Sequence, residues 1–302
     1  MKMRAKTRNI AFMEGVTAGI LFGTSSIFTR FLVELNAFSI TFWRLTIASL
    51  VLIVLASIFR VPFHLNLTRK SFKEIFALGI FLCLHFIFFT LAVKDTTILN
   101  ATVLVNMTPI FSAIISILLF RLKPSRIAVL SLTISFVGVC LIAYSETITP
   151  KTSFQAGVSP TLKGDLEAMF AALLIAFYLN YGKSLRSRID VFSSIVPIYL
   201  IAAVLAVILG LPFIGTSSLP TEPTVALFLI GLGLIPTAVA HTLYFSSLSG
   251  LKSFEAATIA LLEPIGATFL GAIIFKEIPA YLAILGAFLV LFGVALIARQ
   301  KE

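Results

Sequence analysis

Long apolar segments recur along almost the whole chain and are separated by short polar or Gly/Pro-containing breaks. A helix of about 20 apolar residues spans the roughly 30 Å hydrocarbon core of a bilayer, because each residue rises about 1.5 Å. The pattern therefore predicts an all-α, polytopic membrane protein. Its ten transmembrane helices are predicted at residues 10–33, 37–59, 73–93, 96–120, 125–144, 164–184, 190–212, 224–248, 253–275 and 279–298.

The composition agrees with a membrane environment, and the longest break in the apolar pattern lies near the middle of the chain. Of the 302 residues, 59% are hydrophobic and 12% are charged, which lies outside the range of soluble globular domains. The longest break in the apolar pattern runs from Ser145 to Leu162 and contains Pro150, Gly157 and Pro160. These residues favour turns, so we expect a surface loop in the middle of the chain.

The positions of Lys and Arg predict the orientation in the membrane. With the N-terminus inside, 17 of these residues fall on the cytoplasmic side and 5 on the other, with Arg44 inside a span. Because cytoplasmic loops carry the basic excess, both termini are expected in the cytoplasm. This topology explains the net charge of +10 without a nucleic-acid partner. We expect a multi-pass protein of the plasma or inner membrane.

The two halves of the chain resemble each other at an offset of 155 residues. The first half of this match contains Pro109, Ile110, Phe120 and Pro124, which fall on Pro264, Ile265, Phe275 and Pro279. Chance similarity between apolar helices is the alternative, but shared prolines and glycines at one register argue against it. We predict a first repeat at 1–146, a connecting loop at 147–162 and a second repeat at 163–302. Because each repeat has five spans, the second must be inverted in the membrane, as in many secondary transporters.

Several motifs resemble the EamA-like ten-helix transporters of the drug/metabolite transporter superfamily. They are "LFGTSSIFTR" in the first span, "FWRL" in the second, Pro109 in the fourth and "LLEPIGATFLGAIIFKEIPAYLAILGAFLVLFGVAL" near the C-terminus. One departure is Leu122, where the family pattern often repeats the glutamate seen at Glu277. The resemblance implies a metabolite carrier, usually an exporter. It also implies a central cavity walled by the first, third, fourth, sixth, eighth and ninth spans.

Glu263 and Pro264 lie in the middle of an apolar span and form the leading candidate site. Insertion scales assign an acid at that depth about 2.5–3.5 kcal/mol, so its carboxyl should face protein or water. Pro264 has no N–H and leaves the carbonyl of Ala260 without its helical donor. The pair suits a cavity wall, with a substrate or proton site and a helix-packing acid as the two open interpretations.

Polar residues in two other spans are further candidates. Arg44 could bind a carboxylate bidentately, but we expect it to snorkel outward past Trp43 or to pair structurally. In the eighth span, helical spacing places three polar side chains on one face, which we interpret as a cavity-facing stripe, and a proline loosens the helix. These residues are Thr237, His241, Tyr244 and Pro236.

The remaining candidates are polar or aromatic residues in the third, fourth and sixth spans. Polar side chains in lipid need partners, so these helices should face inward. Tyr178 and Tyr181 share a face that could stack on a substrate, although aromatic packing is the commoner role. The other residues are His85, Thr102, Asn106 and Thr108, and the predicted hinges are Pro109, Pro236 and Pro264.

No enzyme motif or metal-ligand cluster is found in the sequence, and we expect no cofactor and no enzymatic activity. We expect a secondary transporter that exports small organic metabolites such as amino acids by alternating access around a midplane cavity. Its partners would be a small-molecule substrate, membrane lipids and a coupling proton or counter-substrate. A flippase for a lipid or lipid-linked solute is the alternative, followed by an intramembrane enzyme or a channel.

Overall fold

The computed structural model describes residues 7–32, 34–96, 98–148, 161–213, 219–275 and 280–299. Their regular secondary structure is helical throughout. The first half contains α1 (Arg8–Arg30), α2 (Ala37–Ile58), α3 (Leu65–Lys70), α4 (Phe72–Asp95), α5 (Ile98–Val105), α6 (Thr108–Phe120) and α7 (Arg126–Ile148). The second contains α8 (Leu162–Arg186), α9 (Val191–Gly210), a 3-10 turn (Leu211–Phe213), α10 (Pro223–Leu232), a π-helix (Gly233–His241), α11 (Thr242–Ser247), α12 (Ser253–Ala260), α13 (Glu263–Phe275) and α14 (Tyr281–Ala298).

The predicted all-helical membrane fold is confirmed. Nine helical segments within the described ranges are long and apolar enough to cross a membrane. The sixth predicted span forms the continuous 25-residue helix α8, but it is not among those nine because charged residues lie near both of its ends. Its crossing of the membrane, and the location of both termini in the cytoplasm, therefore stay predictions.

Two details of the predicted boundaries were wrong. Helix α7 continues to Ile148, so the residues from Ser145 onward extend the helix instead of beginning the loop, and residues 149–160 lie outside the described ranges. The short helix α3 occupies the connection after α2, where no helix was predicted. Its apolar content is too low for the hydropathy pattern to reveal it.

Two spans are interrupted at equivalent positions. Helix α5 ends at Val105 and α6 begins at Thr108, whereas α12 ends at Ala260 and α13 begins at Glu263. Each second segment has a proline at its second position, Pro109 or Pro264, where the missing N–H breaks the helical hydrogen-bond ladder. The eighth span adopts a π-helix around Pro236, which relieves the same loss of a donor by widening one turn.

Contacts between α7 and α14 fit a two-fold relation between the halves. A Cβ on Gly138 would lie 2.6 Å from the Gly286 carbonyl oxygen, and a Cβ on Gly293 would lie 2.7 Å from the Ser131 carbonyl oxygen. Under the 155-residue offset Gly138 is equivalent to Gly293 and Ser131 to Gly286, so each of these contacts is the equivalent of the other. Ser135 and Val290, which are equivalent to each other, are joined by a hydrogen bond of 3.5 Å. Because earlier residues of α7 meet later residues of α14, these equivalent helices run antiparallel, as an inverted repeat requires.

The two halves interlock through their first helices. Helix α1 packs against α12, α13 and the π-helix of the second half, whereas α8 packs against α4, α5 and α6 of the first half. Both interrupted spans are therefore held between helices of both halves. The breaks at Val105 and Ala260 consequently meet at the centre of the molecule, where a cavity opens.

Candidate functional site

A central cavity of about 70 Å³ lies where the two interrupted helices meet. A single water needs roughly 10–15 Å³ of such space, so the cavity has room for several waters or a small solute. Its wall combines polar, charged and aromatic groups from both halves. The lining residues are Phe22, Ser25, Arg44, His85, Phe86, Phe89, Val105, Asn106, Thr108, Pro109, Ile175, His241, Tyr244, Ala257, Ala260 and Glu263.

Arg44 lies in this wall, and of the two roles expected for it, snorkelling and structural pairing, the described contacts are those of structural pairing. The residue is 1% exposed, and its guanidinium carbon lies 3.8 Å from the centre of the Phe86 ring. Nε donates to the Thr237 hydroxyl at 3.1 Å. The Nη1 group is buried and has no hydrogen-bond partner. A cation–π contact and one hydrogen bond stabilise the guanidinium inside the protein, whereas a snorkelling side chain would have been stabilised by the lipid head groups.

The π-helix places Thr237 where it can accept this hydrogen bond. The Thr237 hydroxyl donates to the Leu232 carbonyl at 2.7 Å, five residues earlier, and the Tyr199 hydroxyl donates to the Thr237 carbonyl at 3.0 Å. Thr237 is fully buried and does not line the cavity, contrary to the role expected for it. The wide turn leaves its oxygen free to accept from Arg44.

Glu263 is the first residue of α13 and is partly exposed within the cavity wall. The N-terminus of a helix carries partial positive charge, which favours a carboxylate there. Among the described residues of the wall, Glu263 is the one carboxylic acid and Arg44 is the one residue with a permanent positive charge. They line the same cavity but form no ion pair with each other. The side chain therefore points into the protein interior, as its position in an apolar span required.

Two histidines and a tyrosine form another part of the wall. His85 Nδ1 lies 2.9 Å from the Ala171 carbonyl oxygen. A carbonyl only accepts, so Nδ1 carries the proton and Nε2 of the neutral ring is an acceptor. The His241 ring centre is 6.4 Å from that of His85, and Phe22 packs against both His241 and Tyr244. His241 Nδ1 is buried without a hydrogen-bond partner.

The break between α5 and α6 supplies one amide and one hydroxyl group of the wall, from Asn106 and Thr108. Asn106 Nδ2 donates to the Thr102 carbonyl at 2.9 Å, and the Thr108 hydroxyl donates to the Val105 carbonyl at 2.7 Å. The Thr102 side chain itself is not part of the cavity wall. Pro109 lies in the wall beside Thr108.

The two tyrosines of α8 lie outside the wall. Tyr178 is fully buried and packs against Phe245 with ring centres 5.4 Å apart. Tyr181 is 40% exposed and contacts Phe81 and Phe120. Aromatic packing, the commoner role, is what the structure shows for both residues. Pro236 and Pro264 also lie outside the wall, although each is next to a structural irregularity that helps to form it.

Several wall residues were not among the sequence candidates. Phe86 and Phe89 lie one and four residues after His85, and Phe22 and Ser25 come from α1. Aromatic residues are common in this chain, which has 29 phenylalanines, so their identity gives no signal. Only Ser25 carried a weak one, because it is a polar residue in the middle of an apolar span.

Polar contacts close the molecule on the side that the charge pattern places in the cytoplasm. Arg8 donates to both carboxylate oxygens of Glu255 at 3.1 Å, and Glu255 is 1% exposed. At the same end of the molecule, Asn180 Oδ1 accepts from Ser116 at 2.6 Å and from Ser253 at 2.7 Å. We call these five residues the cytoplasmic closure. The Arg8–Glu255 pair joins α1 to α12, and the contacts of Asn180 join α8 to α6 and α12.

A corresponding set of contacts lies at the opposite end, between α8 and the start of α5. Asp165 accepts from the Thr96 hydroxyl at 2.7 Å and from the Asn100 amide at 3.0 Å and 3.1 Å. Asn100 is the equivalent of Glu255 under the 155-residue offset. We call Thr96, Asn100 and Asp165 the outer closure. Each closure thus ties the first helix of one half to the interrupted span of the other.

This fold and cavity define a class of protein: a multi-pass membrane transporter with a central site lined by two interlocked halves. The model of the EamA-like transporter family matches residues 10–144 and 162–299. The chain belongs to this family, as its sequence motifs indicated, and is an integral membrane transporter of a small-molecule substrate in a lipid environment.

Similar proteins agree with this assignment. The uncharacterized transporter YxxF of Bacillus subtilis (strain 168) is 23% identical over 99% of this chain and 92% of its own length. Solute carrier family 35 member G1 of Mus musculus is 26% identical over 78% of this chain and 63% of its own length. A solved crystal structure aligns over 97% of both chains with a TM-score of 0.79 at 18% identity, which shows a shared fold.

Proposed function

We propose that this protein is a secondary transporter that exports small organic metabolites such as amino acids, by alternating access around the central cavity. The observation that carries the proposal is a cavity lined by both halves, with polar contacts that join the two halves on either side of it along α8. Alternating access requires that a central site be reached from one face at a time. Two closures at equivalent positions provide separate gates for this purpose.

The geometry along α8 supports separate gates. Ile175 lines the cavity, and Asn180 of the cytoplasmic closure follows it by five residues, or about 7.5 Å of helix. Asp165 of the outer closure precedes it by ten residues, or about 15 Å. The interruptions at Pro109 and Pro264 lie between these ends, where a change in backbone angle would move one end relative to the other.

Transport is tested with purified protein in liposomes. An amino-acid exporter should give saturable counterflow of a labelled amino acid that unlabelled amino acids compete. Movement of a fluorescent lipid without competition by soluble metabolites would favour a flippase. A conductance that does not saturate would favour a channel, and chemical conversion of the solute would favour an enzyme. Each of these last three results would contradict the proposal.

We predict that the two closures control access from opposite faces. After Cys83 and Cys140 are replaced by serine, Ala260→Cys in the cavity wall serves as the reporter. Glu255→Ala removes the carboxylate partner of the half-buried Arg8 and should speed labelling by a membrane-impermeant thiol reagent from the cytoplasmic face, about 10-fold. Asp165→Ala should speed labelling from the other face. The measurement is the labelling rate in right-side-out and inside-out vesicles.

The control for the ion-pair substitution is Glu74→Ala. Glu74 and Arg188 form a surface ion pair of 2.5 Å in which both side chains are more than 40% exposed, so its loss should have little effect. The combined charge exchange Arg8→Glu and Glu255→Arg should restore slow labelling. If Glu255→Ala and Asp165→Ala accelerate labelling from the same face, the closures are not opposing gates.

A further inference from the structure

We propose that Arg44 binds an anionic group of the transported solute, a carboxylate, and that Thr237 is the positioning residue that aims its guanidinium into the cavity. The inference rests on the proposed transport function and assigns a chemical task to one part of the same cavity. It also divides the two residues by role, because Arg44 would contact the solute whereas Thr237 would act through Arg44.

Arg44 is a buried cation with unused hydrogen-bond donors. A guanidinium has five N–H donors in a fixed planar fork. Nε is bonded to Thr237, but the buried Nη1 group has no partner. A buried donor without a partner is unfavourable. Since Arg44 also lines the cavity, a carboxylate within it can accept from this free side of the fork.

No acid among the described residues takes this place beside Arg44. Glu263 lines the same cavity, yet it forms no ion pair with Arg44 in the described structure. The two charges thus remain available within a single compartment. A solute with both a carboxylate and an ammonium group could therefore place its carboxylate at Arg44 and its ammonium at Glu263.

The guanidinium of Arg44 is held in a fixed orientation by two contacts. Phe86 lies against one face of the guanidinium at 3.8 Å, and Thr237 fixes Nε. Thr237 is itself fixed through Leu232 and Tyr199. Because one face of the guanidinium and its Nε edge are both constrained, the remaining N–H groups have a defined direction. Such preorganisation is what bidentate recognition of a carboxylate requires.

Equilibrium binding separates this inference from transport itself. The probes are the proteinogenic L-amino acids, each paired with its carboxamide, which retains the ammonium group but lacks the carboxylate. Binding to the purified full-length protein is measured as ligand-dependent thermal stabilisation. We expect at least one acid to bind and its amide to bind at least about 10-fold more weakly, because a charge-assisted hydrogen bond is lost.

Substitutions then assign the discrimination to the two residues. Arg44→Met should weaken binding of the acid about 10- to 100-fold and remove the preference over the amide, while Arg44→Lys should retain part of it. Thr237→Val should weaken acid binding about 10-fold, and Thr237→Ser, which keeps the hydroxyl, should restore it. Arg186→Met is the matched control, because Arg186 is also buried (4% exposed) but lies outside the cavity. It should keep the preference for the acid even if it lowers thermal stability.

The outcomes distinguish the two proposals. If an acid binds with dependence on Arg44 but shows no counterflow in liposomes, the transport proposal fails and the anion site stands. If no acid binds, if acid and amide bind equally, or if Arg44→Met retains the preference, the anion site is overturned. If Thr237→Ser weakens acid binding as much as Thr237→Val does, Thr237 is not the positioning residue.

Discussion

Replacing Glu263 with glutamine should lower solute counterflow at least about 10-fold and remove the part of the pH dependence of the rate that comes from this carboxyl. Glutamine keeps the shape of the side chain but cannot carry negative charge or exchange a proton, so charge-assisted contacts to a cationic group are lost. Glu263 is the one acid among the described residues of the wall. No other carboxylate in that wall can therefore replace it.

The measurement is counterflow in liposomes over a range of symmetric pH values, after the amount and fold of each variant have been matched. Glu263→Asp retains the charge on a shorter side chain and should give an intermediate rate. The control is Glu222→Gln. Glu222 is exposed at the start of α10, so this substitution removes the same charge at a site away from the cavity. A Glu263→Gln protein with the wild-type rate and pH profile would leave Glu263 a helix-packing acid with no part in transport.

The position of Glu263 could be predicted from the sequence, whereas that of Arg44 could not. An acid in the middle of an apolar span has to avoid lipid, so its inward orientation follows from its free energy of insertion. Arg44 has a longer side chain that could have reached the head groups. Its inward direction depends on Thr237, which is 193 positions away in the sequence. The π-helix that presents Thr237 has no sequence signature beyond Gly233 and Pro236.

Helical periodicity was a weaker guide where it had to decide which way a face points. It grouped Tyr178 with Tyr181, but one is buried against Phe245 and the other is exposed beside Phe81. Spacing along one helix says which residues are neighbours, and the packing of other helices decides what surrounds them. The closures show the same limit, because Arg8 and Glu255 are 247 positions apart. The 155-residue offset was more informative, since it aligns helix ends as well as prolines, with α6 and α13 each 13 residues long.

Replacing Gly266 with alanine should destabilise the fold strongly, because α1 and α13 approach each other at this residue without space for a methyl group. A Cβ on Gly266 would overlap the carbonyl oxygen of Ile20, and one on Gly23 would overlap the backbone at Ala267. Backbone atoms cannot move aside as a flexible side chain can, so the two helices would have to separate. Overpacking of this kind costs about 1–3 kcal/mol.

Gly15 provides a matched control on the same face of α1. A Cβ there would lie 3.5 Å from the Ile259 side chain, an ordinary contact distance, so Gly15→Ala should unfold at the wild-type temperature, whereas Gly266→Ala should unfold at a lower one. Separation at Gly266 would also displace Glu263, three residues earlier, and Ser25 across the cavity. We therefore expect Gly266→Ala to lose solute binding even at temperatures where it stays folded. Equal unfolding temperatures for the two variants would show that α1 and α13 are not held together by this close backbone contact.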